Sequence, residues 1–299
     1  MNQSFQAISN KDMQRTLENT ARQYLAGNLQ RPQELSHFPE ENVEIGITSY
    51  DTFTSEKSHY HIRASEYMYI ISGMTEYMEV DTKQTYMFRK GDFFQIRPGT
   101  SYAQRSKPGT ALLFIKTPPG NDKVVVEETR EVTAWRETPL ETTRTDYQND
   151  PEAPVPNGLK PAAAAAIVND KQEILVVRRR DNGKWTLPGG TMDVGEDLKS
   201  CAVREVQEES GYTVEITGII GTYSNPNTVI AYSDGEVRQE FLILYKARIV
   251  RGRLQLDEES TDWAWVSLEK AGDLPMTASQ KQRLEDIKVF ERDGMPFFR

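Results

Sequence analysis

Gly189-Gly190-Thr191-Met192-Asp193-Val194-Gly195-Glu196-Asp197-Leu198-Lys199-Ser200-Cys201-Ala202-Val203-Arg204-Glu205-Val206-Gln207-Glu208-Glu209-Ser210-Gly211-Tyr212 is the stretch on which the reading of this 299-residue chain turns. Residues 198–210 hold no Pro or Gly, follow the acidic Gly195-Glu196-Asp197 and stop at Gly211, which predicts a helix with a glycine C-terminal signal. At about 100° per residue, Glu205, Glu208 and Glu209 share one arc, and Ala202, Val203 and Val206 lie beside it as the stripe to be buried. Three carboxylates on one face repel one another by a few tenths of a kcal/mol per pair unless a cation sits there. Hard oxygen donors of this kind suit Mg²⁺ or Mn²⁺. Pro188-Gly189-Gly190 lets backbone approach closely, so a diphosphate fits between a metal and the loop amides. Arg204, four residues before Glu208, is placed to pair with it.

Counted from Gly190, five residues lead to Glu196 and seven more to Arg204-Glu205; then come Val206, one residue, Glu208-Glu209, one residue and Gly211. This resembles the Nudix box at every fixed position but the last, where Tyr212 stands for an aliphatic residue. The resemblance implies an α/β/α sandwich over 158–299 that cleaves the P–O–P link of a nucleoside diphosphate joined to another group. It implies Mg²⁺ or Mn²⁺ on Glu205, Glu208 and Glu209, with Arg204 holding their orientation. Glu259 precedes Trp265 by six residues, a spacing similar to the late loop glutamate of MutT-type members. Glu240, opening a strand after Arg238-Gln239, is expected to reach the same ions. The general base is Glu209, Glu240 or Glu259; the sequence does not choose. Gly189, Gly190, Arg178 and Glu240 are the expected substrate contacts. Arg178-Arg179-Arg180 reads either as phosphate contacts or as a solvated strand end, and Trp185 as packing.

Length and composition set bounds on this. A chain of 299 residues suggests two domains. A net charge of −9 argues against a protein that coats nucleic acid or anionic membrane. The single cysteine, Cys201, excludes an internal disulfide and reads as small apolar filler on the helix. The N-terminus has no basic-then-apolar signal, and the apolar run 162–168 is too short to span a bilayer. The expectation is a cytoplasmic protein with a small-molecule substrate.

Residues 1–35 read as a helical extension, with one helix over 11–27 serving as a lid or dimer element. Residues 36–130 change to short strands separated by turn residues, an all-β barrel or sandwich pattern. His59 and His61, two apart on one strand, face the same side, and a turn brings Glu66 back toward them. His59-Tyr60-His61, four residues, Glu66, six residues and Gly73 resemble the first cupin motif, with Phe53 where a leading glycine is expected. Gly91 to Tyr102 resembles the second, with Arg97 in the place of its proline and Tyr102 in the place of its histidine. The resemblance implies a cupin-like barrel. Its site is either a Zn²⁺, Fe²⁺, Mn²⁺ or Ni²⁺ centre on His59, His61, Glu66 and Tyr102, or a metal-free pocket that binds a ligand or dimerises. Residues 131–157, acidic and ending in repeated prolines, read as a linker. Cupins often hold sugars or small acids, so the substrate expected at the Nudix-like site is ADP-ribose or a nucleotide sugar, and the protein a homodimer. The competing class is a non-catalytic sensor or regulator. Residues 223–235 are either a substrate-contacting loop or a long hairpin connection.

Overall fold

A computed structural model of the chain describes residues 5–29 and 32–299. Residues 1–4, 30 and 31, within the expected helical extension, lie outside the described residues. The chain divides into the units Met1–Glu141 and Thr142–Arg299.

In the first unit, helix α1 (Asn10–Asn19) starts behind Ser9, whose hydroxyl accepts the Asp12 N–H at 3.1 Å. It ends at Thr20, not near Gly27, and residues beyond it form strand β1 (Arg22–Ala26). The single helix expected over 11–27 therefore stops halfway. Pairing of β1 with β2 (Glu44–Tyr50), and the edge-on contact of Tyr24 with Phe114 at 5.4 Å, outweigh a weak local helix preference.

Strands β3 (Thr54–His61), β4 (Ser65–Ser72), β5 (Met74–Glu79), β6 (Thr85–Arg89), β7 (Phe93–Ile96), β8 (Tyr102–Ser106), β9 (Thr110–Thr117) and β10 (Lys123–Val125) follow. They form two five-stranded sheets, ordered β1-β2-β9-β4-β7 and β10-β3-β8-β5-β6. Among the described residues the sheets do not close into one barrel. Met68, Ile70, Leu112 and Phe114 of the first sheet bury against Phe88 of the second, so the inner faces meet over an aromatic and aliphatic core.

Helix α2 (Arg130–Glu137) covers the outer face of the second sheet, where Val132 buries with Met78, Val80 and Ala103. The Arg105 guanidinium lies 4.5 Å over the Trp135 ring. The linker reading of 131–157 is thus corrected at its start and in its middle. Its first residues fold onto this unit, and β11 (Arg144–Gln148) joins the sheet of the second. Val132 and Trp135 carry a short helical period that the surrounding charge obscures.

The second unit continues with β12 (Gly158–Ile167), β13 (Glu173–Arg179), β14 (Trp185–Thr186), β15 (Gly189–Thr191), α3 (Leu198–Ser210), β16 (Tyr212–Tyr223), β17 (Thr228–Tyr232), β18 (Val237–Gly252), β19 (Ser260–Ser267), α4 (Ala278–Asp293) and β20 (Phe297–Phe298). The main sheet runs β11-β17-β18-β12-β15, with β16 also on β18 and β20 on β16; β14-β13-β19 form a smaller sheet. Residues 223–235 contain β17, held between β11 and β18, so the segment is a paired hairpin.

β12 is central, and its alanines are buried on both sides. Ala164 and Ala166 pack with Leu242, Leu244, Leu284 and Ile287 beneath α4. Ala163 packs with Cys201 and Ala202 of α3, and Ala165 with Val206. One helix therefore covers each face, and small side chains let both approach closely.

Because β11 pairs with β17 from Arg144↔Tyr232 to Gln148↔Thr228, the folded second unit should begin at Thr142. A fragment from Thr142 is expected to melt at least ~2–4 °C above one from Asn157, about 1 kcal/mol at this size. Equal melting temperatures would show that β11 adds nothing.

Candidate active site

Helix α3 is held at both ends by its own sequence. Asp197 caps the start, accepting the Ser200 N–H at 2.7 Å, and Gly211 ends it at φ 73°. Two of its carboxylates, Glu205 and Glu209, face the Gly189-Gly190 backbone on β15. A side chain at Gly190 would put a Cβ 2.5 Å from the Glu205 carboxylate, so glycine is required for that acid to sit there. Glu209, 6% exposed, accepts the Gly189 N–H at 2.9 Å.

Arg204 joins the cluster. Its Nε and Nη2 donate to Glu196 at 3.1 and 2.6 Å, and its Nη1 donates to Glu205 at 2.9 Å and to Glu208 at 3.0 Å. Nη2 also donates to the Thr191 carbonyl at 3.1 Å. Charge-assisted bonds from Arg204 hold the Glu196 carboxyl down at about 2. Burial pushes Glu205 up despite Arg204, with Glu208 and Glu259 adding like charge. Burial pushes Glu209 up to about 8, with Glu205 and Asp257 adding to the effect and the Gly189 N–H and Arg179 opposing it. Burial thus outweighs the help that Glu205 gets from Arg204 and that Glu209 gets from the Gly189 N–H and Arg179.

Three further groups reach this region that the sequence reading did not single out. Arg179, held by Asp181 at 2.9 and 2.6 Å, carries the charge felt by Glu209. Asp257 lies in the same loop as Glu259, and Arg180 ties that loop to β13 by donating to the Glu258 and Glu259 carbonyls at 2.7 and 2.8 Å. Glu196 stands in the quoted spacing, which could have marked it as the anchor of Arg204. Arg178, the expected phosphate contact, donates its Nε to the Gly183 carbonyl at 3.0 Å.

Glu240 also needs correction. It pairs with Arg283 of α4 at 2.5 Å, and its neighbours Leu242 and Leu244 pack in the α4 core. Ile243 and Tyr245 point to α3 instead. Period-two alternation thus puts Glu240 on the sheet face opposite the α3 carboxylates. Cys201 is buried, with its thiol pushed up to about 12 by burial, and is inert filler.

The first unit holds a second constellation. One ligand atom each from His59, His61 and Glu66 lie within 4.8 Å of one another, all three residues buried. His59 Nδ1 lies 2.8 Å from the Lys57 carbonyl, so that nitrogen carries the proton. His61 Nδ1 lies 2.6 Å from Asp122, which also accepts the Arg63 and Ala64 N–H groups. Burial opposes it, yet these donors hold Asp122 at about 2, so His61 Nδ1 is also the protonated nitrogen. The two Nε2 atoms are then the ring nitrogens that face the cluster. His59 Nε2 faces the Tyr102 hydroxyl at 2.9 Å, that hydroxyl donates to Glu66 at 2.6 Å, and His61 Nε2 faces Glu66 at 3.5 Å. One proton is shared among several acceptors. Asp122, 61 positions from His61, had no signal in local spacing.

Residues 158–287 match the model of the NUDIX domain. Over 134 residues the chain is 34% identical to a Bacillus subtilis (strain 168) protein provisionally named 8-oxo-dGTP diphosphatase, covering 44% of this chain and 81% of that protein. It is 27% identical over 139 residues to an ADP-ribose pyrophosphatase of Methanocaldococcus jannaschii, covering 45% and 75%. A crystal structure of a MutT protein from Methanosarcina mazei Go1 aligns at 28% identity, 48% of this chain and 99% of that one, with a TM-score of 0.38. No helix among the described residues is long and apolar enough to cross a membrane.

The raised Glu209 carboxyl has a consequence for the protein kept in a chelator. Glu209 stays protonated when folded up to about pH 8 but ionises in the unfolded chain near the ordinary carboxylate value. The folded state then binds more protons between those values, so this stability is present below the unfolded pKa and lost as pH rises through 8, a few kcal/mol at about 1.4 per unit. Melting followed by tryptophan emission should fall from pH 5 to 8.5, and Glu209→Gln should flatten the slope. An unchanged slope in the variant would remove Glu209 as its source.

Proposed function

This chain belongs to the Nudix hydrolase family through its C-terminal half, and we propose that it hydrolyses the diphosphate link of an ADP-ribose or nucleotide-sugar type substrate. The observation that carries the reading is the convergence of Glu205 and Glu209 on the Gly189-Gly190 backbone, with Arg204 joining Glu205 to Glu208. Members of the family generally use Mg²⁺ or Mn²⁺, and an oxygen-only donor set short of positive charge fits such an ion. A divalent cation bound there neutralises the diphosphate and lowers the pKa of water.

The chain's own groups do the rest. Arg204 fixes Glu205 and Glu208, and anchors itself on Glu196 and the Thr191 carbonyl. Glu209 ties the helix to the loop through Gly189. Glu259, exposed on its loop beside Glu205, accepts the proton of the attacking water. The water oxygen bonds to one phosphorus, the P–O–P bond breaks, and two phosphate products leave. Membership of a hydrolase family argues against the non-catalytic sensor, and a relative named ADP-ribose pyrophosphatase supports the substrate class.

The test is a panel of ADP-ribose, UDP-sugars and nucleoside triphosphates with Mg²⁺, following monophosphate release. Chelation should abolish turnover, and Glu208→Gln should lower kcat by at least on the order of 10²-fold while the helix stays folded. Turnover surviving both treatments would remove the site.

A second reading concerns the first unit, where acceptors face acceptors at His59, His61, Glu66 and Tyr102. That arrangement, and the cupin-like motifs of 36–130, support a divalent metal of the Zn²⁺, Fe²⁺, Mn²⁺ or Ni²⁺ class held by two imidazoles and a carboxylate. Asp122 orients His61, a role whose loss typically costs 10–100-fold in affinity. Elemental analysis after dialysis should find this metal lost from His61→Ala, reduced in Asp122→Asn and better retained in Tyr102→His. Metal content indifferent to all three would leave an organic-ligand pocket.

A further inference from the structure

The two outer faces of the first unit are treated differently. Helix α2 lies over the second sheet, with Arg105 paired to Glu76 at its edge. On the first sheet, α1 packs at β1 on the sheet's edge, where Gln23 donates to the Thr16 carbonyl at 3.3 Å. Met68, Ile70, Leu112 and Phe114 point inward, so alternation turns Tyr67, Tyr69 and Ile71 of β4 and Leu113 and Ile115 of β9 outward. Ile45 and Ile47 of β2 and Phe93 of β7 lie in register with them. Among the described residues, no outward position on β2, β9, β4 or β7 carries a charge.

This face is apolar and open. Phe93 is 63% exposed, Tyr69 43% and Ile71 39%. An aromatic side chain contributes roughly 150–250 Å², so with its half-buried neighbours the face leaves on the order of 500 Å² of apolar surface in water. That reaches the upper range of patches that monomers expose, roughly 300–600 Å². It also matches the apolar share of the ~800 Å² that each partner gives to a standard interface.

We infer that a second copy of this chain packs on this face about a two-fold axis. The row Ile47, Leu113, Tyr69, Phe93 crosses four strands and runs from aliphatic to aromatic. An axis between Leu113 and Tyr69 sets Phe93 of one protomer over Ile47 of the other, and buries no charge on either side. The inference rests on this sheet alone and is independent of the hydrolase reading.

Sedimentation velocity of the full chain tests it. The protein should sediment as a dimer at ~10 µM, and Tyr69→Glu should raise the dissociation constant at least ~10-fold with far-UV circular dichroism unchanged. Should that variant fail to fold, Gln95→Arg decides, because it replaces an exposed polar side chain on the rim and sets like charges around the axis. A wild-type monomer at ~100 µM, or a dimer as tight in folded Tyr69→Glu or in Gln95→Arg as in the wild type, would overturn the inference.

Discussion

The Arg204 guanidinium is the interaction on which the second unit's site depends. It contacts three carboxylates and one carbonyl within 3.1 Å, while remaining only partly buried. Glu205, at its Nη1, sits so close to Gly190 that no larger residue fits there. The neighbouring Gly189 N–H then meets Glu209 on the next turn of the same helix. Helix, loop and acids therefore form one rigid assembly before any ligand arrives. Burial is the main reason the Glu205 and Glu209 carboxyls are raised, and neighbouring carboxylates add to it.

Strand alternation decides which acids join that assembly. β18 carries Ile243 and Tyr245 toward α3 and Leu242 and Leu244 toward α4, so Glu240 belongs with Arg283. That pair is nearly closed to solvent, at 8% and 2% exposure. Removing one partner of such a pair typically costs 3–5 kcal/mol because the other charge is left buried. Glu240 is thus a structural acid between sheet and helix.

Much of this was legible in the sequence wherever local spacing fixes geometry. The helix from Leu198 to Ser210, its glycine stop and its acid face follow from period 3.6, and the shared face of His59 and His61 from period 2. The phase of Glu240 was not legible, because nothing local says which face of a doubly covered strand meets which helix. Arg178 and Arg179 have the same chemistry, and an irregular register between them breaks the simple alternation. Asp122 and Asp257 reach their partners only through long-range pairing. Residues 20–26 and 130–137 were misread because tertiary contacts, Tyr24 on Phe114 and Val132 in its core, override weak local preference.

The two constellations meet the same electrostatic problem with different donors. In the second unit every facing donor is a carboxylate oxygen, and one arginine offsets part of the charge. In the first, carbonyl and carboxylate acceptors at Lys57 and Asp122 pin both imidazole Nδ1–H groups, which turns the two Nε2 atoms toward Glu66 and Tyr102. An oxygen-only set favours hard ions that keep their water, whereas imidazole nitrogen favours ions later in the transition series. Mn²⁺, named for both sites, can enter either set, so the separation holds between Mg²⁺ on one side and Zn²⁺ or Ni²⁺ on the other. Tyr102 is the weak point of that separation. A phenol beside His59 adds an oxygen where the related motif has nitrogen, and moves the first site toward the preferences of the second.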